Sequence, residues 1–145
     1  QVGSAAEQLP LSILRMVDRG DLVAQCNISA LPALAPQESF TIVDFQEDVR
    51  RALEGNFGEV VTATESVSDS GLHVMRMVVV GTVSDVPIHW VYYHLANEQG
   101  RRASCVFTYE SDLADRFGAE DQMIISSFRF LDRTTPPASP GTSQP

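Results

Sequence analysis

The stretch that decides the fold runs from Leu72 to Tyr109. It holds Leu72-His73-Val74-Met75-Arg76-Met77-Val78-Val79-Val80-Gly81-Thr82, then Pro87-Ile88-His89-Trp90-Val91-Tyr92-Tyr93-His94-Leu95-Ala96, then Arg101-Arg102-Ala103-Ser104-Cys105-Val106-Phe107-Thr108-Tyr109. β-branched and aromatic residues dominate, and the separators Ser84-Asp85 and Asn97-Glu98-Gln99-Gly100 are short and polar. That combination predicts three antiparallel strands in a meander. Turn tips at Ser84-Asp85 and Glu98-Gln99 set a register, and the register sorts side chains onto two faces. One face then carries Met75, Met77, Val79, Ile88, Trp90, Tyr92, Cys105 and Phe107. The other carries Val74, Val78, Val80, Val91, Tyr93, Leu95 and Val106. Both are apolar, so helices are expected on both sides of the sheet.

Outward from the meander, Glu59 to Val67 reads as a further strand. Leu11 to Val17 and Leu22 to Ile28 flank Asp18-Arg19-Gly20-Asp21 and form a hairpin, with Leu22, Ala24, Cys26 and Ile28 on one face. Arg19-Gly20-Asp21 also spells an adhesion tripeptide, which ordinary turn chemistry accounts for. Pro32 and Pro36 make Leu31 to Ser39 a loop. Thr41-Ile42-Val43-Asp44 has the form of a capping box, and Phe45, Val49, Ala52 and Leu53 follow at helical spacing, so a helix is expected over 42–54. Ser111 to Phe117 and Ala119 to Ser127 read as helices and Phe128 to Leu131 as a closing strand. The expected organisation is a mobile leader at 1–10, one α+β domain at 11–132 and a Pro/Ser/Thr tail or linker at 133–145. A chain that starts at Gln1 reads as a mature product or a piece of something longer.

Composition narrows the function. The 145 residues carry 19 acidic and 10 basic side chains, a net charge of -9, and every basic residue is arginine. The absence of lysine removes Schiff-base and P-loop chemistry. The negative field and the lack of a basic stripe beyond Arg50-Arg51 and Arg101-Arg102 argue against nucleic acid, which is bound by neutralising phosphates. No apolar run approaches the roughly 20 residues needed to span a bilayer. Cys26 and Cys105 form no CxxC pair; they are a long-range disulfide if the domain is exported, and otherwise two buried small hydrophobes. Export to the cell envelope or periplasm and a cytoplasmic location both remain open.

His89 and His94 flank an aromatic cluster, yet their odd spacing puts them on opposite faces of a strand. His73 falls opposite Ala96 and diagonal to His94 on one face. A two-histidine metal site there lacks a third ligand, because Cys105 lies opposite Tyr92, farther along the sheet. A nucleophilic Cys105 is disfavoured, since a thiol buried between Ala103 and Phe107 has a raised pKa. Ser104 faces the other way, and no GxSxG elbow is present. No catalytic constellation is found, so neither an enzyme nor a cofactor is expected. The acids Glu110, Asp112, Asp115, Glu120 and Asp121 lack the spacing of a calcium loop and suit helix N-termini. Trp90, Tyr92 and Phe107 read first as core, while Tyr93 with Arg76 across from it suits a cation-π pair at a partner surface. The candidate contacts are therefore His73, Arg76, Trp90, Tyr92, Tyr93 and His94.

The order helix, meander, helix, closing strand, the segment Gly100 to Tyr109 and the ending Ile125-Ser126-Ser127-Phe128-Arg129-Phe130 resemble the PsbP-like superfamily. That superfamily includes the PsbP subunit of photosystem II, the yeast factor that releases nucleotide from Ran, and bacterial LpqN-type proteins. The resemblance covers residues 11–131 as a pattern and rests on packing residues. It implies an α/β/α sandwich with a central antiparallel sheet and accessory or binding roles rather than chemistry. A lysine-free chain departs from the basic docking surface of the photosynthetic members, and no functional residue carries over. The function expected is a non-catalytic accessory or protein-binding domain, whose acidic surface steers it towards a basic or neutral protein. The alternative is a small-ligand or metal-binding domain using the Trp90, Tyr92, His73 and His94 face.

Overall fold

A computed structural model describes residues 10–131. The leader expected at 1–10, apart from Pro10, and the tail expected at 133–145 lie outside the described residues. Six strands form one antiparallel sheet in the order β1-β2-β6-β5-β4-β3. They are β1 (Pro10–Asp18), β2 (Asp21–Leu31), β3 (Phe57–Val67), β4 (His73–Val83), β5 (Val86–Ala96) and β6 (Arg102–Glu110). The helices are α1 (Ile42–Leu53), α2 (Ala114–Phe117) and α3 (Glu120–Ser126).

The turns explain the register. Arg19 and Gly20 (φ 53° and 87°) and Ser84 and Asp85 (φ 49° and 69°) are left-handed pairs, as two-residue hairpins in a twisted sheet require. Arg19-Gly20-Asp21 is thereby turn structure, and Val83 pairs with Val86 as expected. The β5-β6 turn differs. The Asn97 side-chain oxygen accepts from the Gln99 and Arg101 amides at 3.0 and 2.9 Å, and Gly100 sits at φ 88°. This is a three-residue loop closed by a left-handed glycine, so Ala96 pairs with Arg102. The register expected from a Glu98-Gln99 tip is off by one residue, which turns every β6 side chain over. Cys105 and Phe107 lie opposite Tyr93 and Val91, while Ser104, Val106 and Thr108 join His94, Tyr92 and Trp90. A side chain at Gly100 would meet the Leu34 carbonyl at 2.7 Å, and that residue's amide donates to the Gly100 carbonyl at 3.0 Å. The proline loop is thus strapped across the turn.

A second irregularity lies in the first hairpin. Met16 pairs with Ala24 but Val17 with Leu22, leaving Val23 as a bulge. Val23 is buried and Leu22 is exposed, the reverse of the strict alternation expected there.

Each face of the sheet has its own core. Thr41 caps α1: the Asp44 amide donates to Thr41 Oγ1 at 3.1 Å and the Thr41 amide to Asp44 Oδ2 at 2.9 Å. The helix buries Phe45, Val49 and Leu53 against Met75, Met77, Val79 and Trp90. Each such side chain contributes roughly 1.5–3 kcal/mol. Thr41→Ala is expected to cost about 1 kcal/mol in a denaturant titration, with Thr41→Ser retaining most of it. On the other face Phe117 and Ile125 pack on Val74, Val78, Val91, Tyr93, Leu95 and Phe107, and Tyr109 stacks on Phe117 at 4.3 Å.

The α/β/α sandwich expected from the sequence is not formed; the fold is sheet-rich. Helices of 12, 4 and 7 residues accompany strands of 9 to 11. A helix about 10 Å wide covers only part of a six-stranded sheet whose strands stand about 4.8 Å apart. On the opposite face Gly118, at φ 57°, ends α2 after one turn. Phe128 to Leu131 forms no strand either. Phe128 and Phe130 pack against the larger core, and Arg101 holds the segment from over the Phe130 ring, 4.9 Å away, while donating to the Leu131 carbonyl. Among the described residues no helix is long and apolar enough to cross a membrane.

Candidate functional site: a cleft beside helix α1

Helix α1 packs over β3 and β4, leaving the same face of the sheet less covered towards β6 and β2. Along its flank runs a cleft of about 500 Å³. Its walls are Phe45, Asp48, Arg51 and Ala52 from α1, Leu31 and Phe40 from the two ends of the proline loop, and Tyr92, His94, Arg102 and Ser104 from the sheet. This volume is in the range of small-molecule sites.

His94 is 3% exposed and stacks on Phe40 with ring centroids 4.3 Å apart, with Phe45 6.0 Å away. Its Nε2 faces Arg102 Nη1 at 3.4 Å. A guanidinium only donates, so Nε2 is the acceptor and Nδ1 carries the proton. That buried Nδ1 has no hydrogen-bond partner among the described residues. Burial, then the charges of Arg102 and His73, push the pKa down to about 4, so the ring is neutral near pH 7.

Arg102 donates through Nε to the Pro32 carbonyl at 2.8 Å and lies over the Phe40 ring at 5.4 Å. Among the described residues it has no carboxylate within salt-bridge distance, whereas Arg51 pairs with Asp48. Burial lowers the Arg102 pKa, against the opposing pull of Asp48 and Glu38. Burial also pushes the Tyr92 phenol up to about 12, so it stays protonated.

Of the six residues singled out from sequence, Tyr92 and His94 line the cleft. Tyr93 borders it from within β5, but its hydroxyl is on the opposite face, donating to Asp121 Oδ2 at 2.6 Å and accepting from Arg76 at 3.0 Å. The Arg76-Tyr93 pair is therefore part of an internal tie. Trp90 is sealed under α1. His73 shares a face with His94 but engages Glu65 at 3.2 Å. Among the described residues no three His, Cys, Asp or Glu side chains converge on a metal position.

Cys26 and Cys105 are unpaired thiols on the face away from the cleft, raised by burial to about 11 and about 12, which makes them poor nucleophiles. Sequence reasoning missed Phe40, Asp48, Arg51, Arg102 and Ser104. The Arg101-Arg102 pair was the one visible signal, and the register hid its use.

No protein-family model matches the sequence, and no curated protein sequence matches it. Among solved structures the chain is similar to PA94, a protein of unknown function from Pseudomonas aeruginosa. The TM-score is 0.63 at 10% identity, with 83% of each chain covered. At that identity the likeness concerns the fold alone.

Proposed function

We propose that this domain is a non-catalytic binding module that holds a small organic ligand in the cleft beside α1. The observation that carries this reading is the convergence of aromatic walls, Phe40, Phe45 and Tyr92, with two donors short of acceptors, Arg102 and His94 Nδ1. Apolar walls with a few convergent polar groups are what small-molecule recognition uses. A kinship with the PsbP-like superfamily belongs to the same proposal, supported by the packing of Phe128 and Phe130 onto the sheet.

A neutral dye such as Nile red tests the cleft. Wild-type protein is expected to bind it, and Ala52→Trp, at an exposed position on the cleft wall, to abolish binding with the far-UV circular dichroism unchanged. Equal dye binding by both proteins, or none by either, overturns the reading.

A second reading, an accessory domain docked on a protein partner, is favoured by one surface. Ile13, Leu14, Val17 and Leu22 are each at least 40% exposed along the β1-β2 hairpin at the sheet edge. Single exposed apolar side chains are ordinary; several together on an edge hairpin suit a docking site.

A further inference from the structure

The charge distribution around the cleft runs against that of the molecule. The chain carries nearly two acids for each arginine. Yet Arg102, partly buried, has no carboxylate within salt-bridge distance among the described residues, and Asp48, the one acid on the cleft wall, is taken by Arg51. The wall therefore has one guanidinium left over. Around it stand further groups able to donate. Arg102 uses Nε on Pro32 and one Nη1 contact on His94, and its remaining N–H groups have no partner among the described residues. His94 presents an Nδ1–H with no acceptor among the described residues, and the Tyr92 and Ser104 hydroxyls both line the wall. A buried donor left unpaired is costly, so a ligand that supplies acceptors gains there.

Building on the binding-module reading, we propose that the cleft selects a ligand bearing a single carboxylate on an apolar, preferably aromatic, body. One uncompensated positive charge matches one negative charge. A guanidinium fork matches the two oxygens of a carboxylate in the plane in which they lie. A dianionic phosphate would bring a second negative charge with no cation free to meet it, because Arg51 is held by Asp48. Phe40, Phe45 and Tyr92 receive the body of the ligand. The Phe40 ring also carries the Arg102 guanidinium and stacks on His94, so it fixes both donors.

The test uses the full chain and three probes that share one body: 4-phenylbutyrate, 4-phenylbutan-1-ol and 4-phenylbutyl phosphate, titrated calorimetrically. The acid is expected to bind about tenfold or more tightly than the alcohol, since a hydrogen bond to an ionised group is stronger than one between neutral groups. Arg102→Gln is expected to erase that preference. The comparison of acid with alcohol is made on wild-type protein, so it stands even where the variant fails to fold. Equal binding of acid and alcohol overturns the carboxylate assignment and leaves the cleft reading intact. Tighter binding of the phosphate than of the acid overturns the single-charge argument. No binding by any probe while Nile red still binds overturns this inference alone; no binding by the dye as well overturns both.

Discussion

Asp121→Ala is expected to destabilise the protein by about 3 kcal/mol, the low end for breaking a buried ion pair. Asp121 is fully buried on α3, and its Oδ2 accepts from Tyr93 Oη at 2.6 Å and from Arg76 Nε at 2.9 Å. Its loss strands a hydroxyl on a side chain 2% exposed and a guanidinium still about one-quarter exposed. That residual exposure of Arg76 keeps the figure at the low end. Asp121→Asn should cost less, because an amide oxygen can still accept from the phenol. Tyr93→Phe combined with Asp121→Ala should cost less than the sum of the two, since they share one hydrogen bond. Chemical denaturation of the wild type, the three single variants and the double variant measures this; additive losses, or a change in Asp121→Ala well under 1 kcal/mol, would show the tie to be dispensable.

Acid should weaken the fold through His94. Its pKa near 6.5 in the unfolded chain falls to about 4 in the fold, chiefly by burial. The unfolded state then binds the proton more readily. The stability that comes from keeping the ring neutral is whole above about pH 6.5 and is lost as the pH falls through about 4, on the order of 3 kcal/mol in all. The groups facing the ring are Phe40, Phe45 and Arg102, with His73 contributing charge. His94→Phe suits that aromatic surrounding and has nothing to titrate. Unfolding free energies at pH 7.5 and 4.5 should therefore fall steeply for the wild type and much less for the variant. Parallel slopes would place the acid sensitivity elsewhere. Asp18, held below the ordinary carboxylate range by Arg116, acts at lower pH, losing its contribution as its carboxylate protonates.

Much of the scaffold was legible because its signals are local. The Thr41 capping box, the left-handed pair at Ser84 and Asp85, and the alternation along β4 and β5 are written in neighbouring residues. The site was less legible for one physical reason. Asn97 binds the backbone amides ahead of it and Gly100 takes φ 88°, which lengthens the β5-β6 loop to three residues. A two-residue tip would send Arg102 and Ser104 to the far side of the sheet; the real loop sets Ser104 opposite His94 and Arg102 opposite Ala96. Phe40 entered the cleft through a contact that no period encodes, the strap of the proline loop over the turn. The sandwich expectation failed because apolar faces tell of cover being needed, not of how wide it is.

The sheet is a party wall between two unequal rooms. The larger core is sealed by α2, α3 and the Phe128-Phe130 segment, and further pinned by the Asp121 tie and by Arg116 on Asp18. The smaller one, which holds the chain's single tryptophan, is shut by one twelve-residue helix with one cap. Protection against local opening follows the number of buried contacts that must be given up. The α1 side is therefore expected to open before the other, and the cleft lies against that side.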